Sequence, residues 1–363
     1  MALILTFLGK GGTGRTTIAI AAAKRLAAEG KRVLLATLDS GPAPALLLGT
    51  PWSTTPTEIE PNLKAVQLKA APQLESSWEE LKRLEAEYLR TPFFKNVYGQ
   101  ELGILPGMDG ALALNALREY DGGGEYDAIV YDGNAGLETL RMLGMPEILS
   151  WYIRRFRQVF LDSDLGKTLS PFVQPIASAV LSVDISGDNF AQPTEKVNNM
   201  LDEGKAAVSD PTRVAAYLVT TADEAAIATA KYFWGSAQQV GLTVGGALLN
   251  RGSAGDAIAD GFSPLSISTI PERSGDWMPL MEALPDFRQA TAAPRSITVD
   301  VDRRQVSLFL PGFDKKQIKL TQYGPELTIE AGDQRRNILL PPSLSGKPVT
   351  GAKFQNNYLI VSL

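Results

Sequence analysis

The chain has 363 residues, of which 44% are hydrophobic and 21% charged, and its formal net charge is −5. This is the balance of a soluble globular protein with room for one large domain and one small one. It holds neither cysteine nor histidine, which excludes disulfides, thiolate zinc, iron–sulfur clusters and an imidazole general base. Chemistry is left to carboxylates, Lys, Arg, hydroxyls, backbone amides and a hard cation such as Mg²⁺.

In chain order, the apolar runs Ala2–Leu8, Arg32–Leu38, Gly103–Leu105, Ala128–Tyr131, Arg213–Thr220 and Thr243–Leu249 predict strands. The segments Thr16–Ala28, Leu74–Leu89, Leu112–Tyr120, the stretch from Glu138 through Met142 and beyond, and Ala222–Val240 predict helices. Strands apolar on both faces and separated by helices call for an α/β fold, a mostly parallel sheet covered on both sides, with functional loops at the strands' C-terminal ends. The first strand carries no basic segment before it and no small-residue cleavage site, and no apolar run reaches the roughly 20 residues of a membrane span. The expectation is a cytoplasmic protein with no integral membrane segment.

The pattern changes around Pro285–Pro294, where Thr291–Pro294 reads as a linker. Beyond it come short alternating strands with turns at Pro311-Gly312, Tyr323-Gly324-Pro325, Ala331-Gly332-Asp333 and Gln355-Asn356-Asn357, an all-β sandwich. Residues 295–363 hold ten Lys/Arg against six Asp/Glu, a net of +4 that leaves −9 for residues 1–294. The expected division is 1–290 and 297–363. The overall negative charge argues against nucleic acid as a partner.

The strongest chemical signal is Gly9-Lys10-Gly11-Gly12-Thr13-Gly14-Arg15-Thr16-Thr17, directly after the first strand and opening the first helix. Glycines let the backbone curl and turn successive N–H groups toward one anion, and the helix N-terminus adds partial positive charge there. Residues 11–17 are therefore the expected phosphate ligands, with Thr16 where a Mg²⁺-ligating hydroxyl belongs. Arg15 occupies the position just before the hydroxyl residue that usually holds lysine. It keeps the charge but is bulkier and planar.

With its early lysine, this loop resembles the deviant P-loop of the arsenite-pump ATPase, the tail-anchored-protein targeting ATPase, division-site and partition ATPases and nitrogenase iron protein. The resemblance implies ATP and Mg²⁺ as cofactors and a homodimer in which Lys10 acts on the partner's nucleotide. It also implies an Asp39 that orients the attacking water, a Mg²⁺-supporting Asp132 in a second switch running to Arg141, and an adenine-contacting Asn250. Two departures stand out: Gly133–Gly136 replaces the usual switch sequence, and the run after Asp39 differs. A nucleotide-sensing scaffold with little hydrolysis therefore stays open beside an ATP-hydrolysing switch.

Ile148, Leu149, Tyr152, Ile153, Phe156, Val159 and Phe160 fall at helical spacing, with Arg154, Arg155 and Arg157 mostly opposite,. In the targeting ATPase the matching region shields hydrophobic clients, so Ile148–Leu181 is the candidate client groove; a helix packed on the sheet is the other reading. Residues 297–363 resemble an α-crystallin (small heat shock protein) domain through Val306–Leu320, Glu326–Glu330, Arg336–Pro341 and Asn357–Leu363. That module serves either packing and regulation or client holding.

Overall fold

A computed structural model describes residues 1–88, 103–134, 136–162, 191–252 and 256–363. The N-terminal part is an eight-stranded sheet built from β1 (Leu3–Leu8), β2 (Val33–Thr37), β3 (Thr57–Glu60), β4 (Leu63–Gln67), β5 (Ala128–Asp132), β6 (Val214–Thr220), β7 (Thr243–Asn250) and β8 (Ile267–Ile270). The strand order is β3-β4-β2-β5-β1-β6-β7-β8, parallel throughout except for β3, which pairs antiparallel with β4. Every residue of β2, β5, β6 and β7 is buried, because helices cover both faces. On β1, Leu5 and Phe7 join one apolar core while Leu8 joins the other, the period-2 alternation of a strand.

The covering helices are α1 (Arg15–Ala28), α2 (Ala43–Leu48), α3 (Ala70–Tyr88), α4 (Met108–Gly122), α5 (Leu137–Asp162), α6 (Ala191–Ser209), α7 (Glu224–Gln239), α8 (Asp256–Gly261) and α9 (Met278–Ala283). Helix α1 packs one face with Ile18, Ala19 and Ala22. Helices α4, α5 and α7 pack the other with Leu117, Leu143 and Trp234. The chain leaves β1 for β2 on one side and later runs from β5 to β6 on the other. The order thus reverses around the β5-β1 pair, the topological switch point where α/β sheets bind ligands.

Two expectations are corrected. Gly103–Leu105 is not a strand: Ile104 and Leu105 are about half exposed, and Pro106-Gly107 turns the chain straight into α4, whose N-cap is Gly107 at φ 85°. Thr291–Pro294 is not bare linker throughout either, since its first two residues close a short helix. Phe287–Ala292 forms a short 3-10 helix whose Phe287 and Ala290 are buried against the sheet, and the Tyr217 hydroxyl donates to the Phe287 carbonyl at 2.9 Å.

The C-terminal part holds β9 (Ile297–Asp300), β10 (Gln305–Phe309), β11 (Ile318–Tyr323), β12 (Glu326–Ala331), β13 (Gln334–Leu339), β14 (Gly351–Gln355) and β15 (Tyr358–Ser362). They form two antiparallel sheets, β14-β15-β10-β9 and β11-β12-β13, which share one core around Val306, Leu308, Leu327, Ile329 and Val361. All four expected turns fall between strands. At Asn356-Asn357, between β14 and β15, φ is 51° and 63°, the two-residue left-handed geometry that matches strand twist.

This sandwich sits on α5 and α7. Phe309 stacks edge-on against Trp234 at 5.5 Å between ring centroids and belongs to the larger domain's core. A Cβ on Gly235 would lie 2.2 Å from the Pro311 carbonyl and 2.5 Å from the Phe313 ring, so only glycine admits so close an approach. The buried Arg336 donates to the carbonyl of Gln238 at 3.0 Å and lies 3.7 Å from Glu147. Glu326 accepts from Trp151 and Arg154, Arg155 stacks on Tyr323 at 4.1 Å, and Arg141 pairs with Asp333.

Candidate functional site

The residues singled out from the loop motif converge at the C-terminal ends of β1, β2, β5 and β7. Gly9 leaves β1 where a Cβ would fall 2.1 Å from the Val219 carbonyl of β6, so the neighbouring strand demands glycine. Gly12 and Gly14 take φ of 83° and 95°, and Gly14 is the N-cap of α1 with no side-chain cap. The first-turn N–H groups of α1 are thus left to an outside acceptor. Cβ atoms added at Gly11 or Gly12 would meet nothing within 4 Å: the outer side of the loop is open.

The inner side is pinned. The Thr13 hydroxyl donates to the Lys10 carbonyl at 2.8 Å. Asn250, at the end of β7 and buried, donates its amide to the Thr13 carbonyl at 2.7 Å, and Arg251 donates to the Gly12 carbonyl at 2.8 Å. Asn250 therefore lies beneath the phosphate loop as a brace, a contact the sequence reading did not include. A Cβ on Gly14 would strike that same amide at 2.2 Å.

Asp132 ends β5 and is 5% exposed. Burial pushes its carboxyl above the ordinary aspartate range, opposed by a hydrogen bond from Thr16, the charge of Arg15 and the Thr37 hydroxyl. Thr37, at the end of β2, donates to Asp132 at 3.3 Å and accepts from the Asp39 amide at 3.2 Å. It links the two acidic candidates, and the sequence reading did not single it out. Its hydroxyl at a strand end two residues before Asp39 was the available signal.

Asp39 is exposed. Its carboxylate accepts from the Gly41 amide at 2.7 Å, and its carbonyl accepts from Gln67 at 2.8 Å, so a local turn holds it at the rim. Arg15 is half-buried. Its Nη1 donates to the Gly133 carbonyl at 3.2 Å; burial lowers its pKa and Asp132 counters that, leaving the guanidinium charged at any physiological pH. Lys10 is exposed, with its ammonium 3.8 Å from Asp223, the N-cap of α7. Thr17 lies half-buried in the first turn of α1.

Among the described residues no group of three or more Asp/Glu could hold a metal by itself, and no helix is long and apolar enough to cross a membrane. Of the client-groove candidates, Ile148 and Tyr152 are exposed on α5. The side chains of Phe156, Val159 and Phe160, and all of residues 163–181, lie outside the described residues. Leu149 lines a cavity of about 380 Å³ between α4, α5 and α6, with Leu114, Met145, Met200 and Leu201.

Comparison with known proteins agrees with this geometry. Residues 2–260 match the family described as Anion-transporting ATPase, and residues 301–363 match an HSP20-like domain found in ArsA. The chain is 26% identical to a putative arsenical pump-driving ATPase of Chlorobaculum tepidum, over 98% of this chain and 94% of the relative. It is 20% identical to putative arsenical pump-driving ATPase 1 of Aquifex aeolicus, over 99% of both. It is also 23% identical to the ATPase GET3 of Malassezia globosa, over 59% of this chain and 62% of that one. The phosphate loop at the switch point, the buried aspartate beside it and the two matches agree: the chain is an ATPase that belongs to the anion-transporting ATPase family and carries that family's HSP20-like domain at residues 301–363.

Proposed function

We propose that the chain is a homodimeric Mg-ATP switch whose nucleotide state governs a protein-binding surface, with residues 1–290 as the ATPase unit and 297–363 as an accessory β unit. The observation that carries it is the pairing of an outward-open glycine loop with a buried carboxylate, Asp132, held by the hydroxyls of Thr16 and Thr37. This donor set fits a nucleoside triphosphate with a hard cation. Backbone amides and one guanidinium meet phosphate oxygens, and one hydroxyl and one carboxylate suit Mg²⁺, which shares its sphere with phosphate and water.

In this reading the amides of Gly11, Gly12, Thr13, Gly14, Arg15, Thr16 and Thr17, with the Arg15 side chain, hold the phosphates. Thr16 and Asp132 would hold Mg²⁺, which when bound neutralises phosphate charge. Asp39, fixed at the rim by Gly41 and Gln67, orients water. Lys10 extends from the loop toward a partner subunit's nucleotide. Asn250 keeps the loop's curvature by holding the Thr13 carbonyl, with its remaining amide oxygen as the candidate contact for the base. The apolar cavity beside Leu149, together with exposed Ile148 and Tyr152, supports a hydrophobic protein client. Among the described residues no feature of the site calls for nucleic acid or zinc, and in this reading the switch works in the cytoplasm.

A second reading, a nucleotide-sensing scaffold with slow turnover, is favoured by one observation: Arg15 is engaged with the Gly133 carbonyl. The deciding measurement is Mg-dependent ATP turnover beside Asp39→Asn, across protein concentrations. Turnover at least ~100-fold above the variant and rising per subunit with concentration is the expected result. Nucleotide binding with no turnover above the variant would leave the scaffold, and turnover by a species that stays monomeric in solution at every concentration would remove the dimer.

A further inference from the structure

Two of the places where this chain departs from the usual motifs, Arg15 in the lysine position and the glycine-rich second switch, touch each other. Arg15 Nη1 donates to the carbonyl of Gly133, the residue that follows the Mg²⁺-supporting aspartate. A guanidinium offers five N–H donors in a planar fork, whereas a lysine ammonium is a point charge at the end of a flexible stem. One edge of the fork serves the Gly133 carbonyl, leaving the other edge for a phosphate oxygen at the helix N-terminus.

The Gly133 carbonyl is not a loose acceptor. A Cβ at Gly133 would lie 2.5 Å from the Tyr131 ring and 2.6 Å from the Thr139 hydroxyl, so the backbone is pressed between β5 and the first turn of α5. The Thr139 hydroxyl in turn donates to the Asn134 carbonyl at 2.8 Å. Gly136, at φ 82°, sits where a Cβ would lie 2.7 Å from the Phe233 ring of α7. The acceptor of Arg15 thus rides on the start of α5, which runs 26 residues to Asp162.

We propose that Arg15 is a two-ended coupler: it binds phosphate with one edge of its guanidinium and the Gly133 carbonyl with the other, so that phosphate occupancy is transmitted directly to the second switch and α5. This rests on the reading of Arg15 as a phosphate ligand. It makes Arg15 a device for reporting the nucleotide at the expense of the mobility a catalytic lysine would have.

The test is hydrogen exchange on the full chain, free and saturated with Mg-ADP or a slowly hydrolysed ATP analogue, with affinity measured separately by calorimetry. In the wild type, nucleotide slows exchange both in the loop and α1 (residues 10–20) and in the switch (residues 133–143). Arg15→Lys keeps the loop response at saturation, while the nucleotide-dependent change at 133–143 falls at least about threefold. Gly133→Ala, whose Cβ would meet the Tyr131 ring and the Thr139 hydroxyl, keeps the arginine but displaces its acceptor, and it gives the same uncoupling when compared at saturating nucleotide. Because the readout is the difference between bound and free, a variant that merely loosens the switch in both states does not mimic the effect. An undiminished switch response in both variants, or none in a saturated wild type, overturns the coupler. Failure of the wild type to bind nucleotide overturns instead the reading on which it rests.

Discussion

The phosphate site and the seam between the two parts of the chain are both built where elements distant in sequence meet, and both depend on glycines that admit no side chain. They differ in what the close approach is for. At the seam, Gly235 lets α7 touch Pro311 and Phe313, and Arg336 is buried with acceptors from Gln238 and Ser296. At the phosphate site, close packing underneath leaves the upper surface open, and the buried Asp132 carries a charge that burial opposes. A binding site holds polar groups at a cost to the folded chain, whereas a seam loses stability when disturbed.

The largest effect expected from this contrast is at the seam. In a helix Ala is favoured over Gly by about 1 kcal/mol, so Gly235→Ala would stabilise α7 on propensity alone. The overlap with the Pro311 carbonyl opposes it, and overpacking of this kind costs about 1–3 kcal/mol or more. Here the 2.2 Å contact is with backbone, which cannot rotate away. Gly235→Ala is therefore expected to lower stability by about 2 kcal/mol net, and limited proteolysis should release residues 297–363 faster. A rise in the thermal midpoint would show that the seam has slack.

At the site the sign reverses. Burial raises the Asp132 pKa above the ordinary aspartate range, so the folded state holds this proton more tightly than the unfolded chain. The stability linked to it is present in acid and lost as pH rises through the raised value. In the protein free of nucleotide and divalent cation, Asp132→Asn is expected to stabilise the fold at pH 7 by about 0.5–2 kcal/mol. The gain should shrink as pH falls toward the unfolded value, while Mg-ATP turnover is lost. Denaturant midpoints at neutral and acid pH check this, and a gain independent of pH would assign it to something other than the charge.

The smallest effect is at the edge of the seam. Arg141 and Asp333 pair with side chains 55% and 64% exposed, and solvent screening leaves such pairs little to contribute. Arg141→Ala is expected to change stability by less than about 0.5 kcal/mol, measured by the same denaturant series. A loss comparable to that at Gly235 would mean that the rim, not the glycine contact, holds the β unit.

The phosphate loop was legible because its chemistry is local: Gly9 to Thr17 turn the backbone, cap α1 and place Thr16 within nine successive residues. The β turns were legible for the same reason, since Gly332 and Asn356-Asn357 announce left-handed backbone wherever they stand. Thr37, the Asn250 brace, the Asp223 partner of Lys10 and the Arg15–Gly133 contact were not. Each joins the end of one element to the end of another, and their spacing along the chain carries no signal. β3 was missed because Thr57–Glu60 is a polar edge strand with no apolar run to mark it, and Gly103–Leu105 was misread because three apolar-looking residues are too few to distinguish a strand from a loop.

What the amino-acid order determined alone is the set of local conformations: where strands are apolar on both faces, where helices start, where the backbone must go left-handed, and hence a phosphate loop at the end of a parallel strand. Only the tertiary structure decided which partners those elements present to one another. The order of parallel strands is set by packing of faces across the sheet, and that order brings Asp132 and Thr37 beside Thr16 and the Gly133 carbonyl beside Arg15. Hydrogen bonds that reach across neighbouring strands depend on distances in space, and those distances exist only once the two cores have closed.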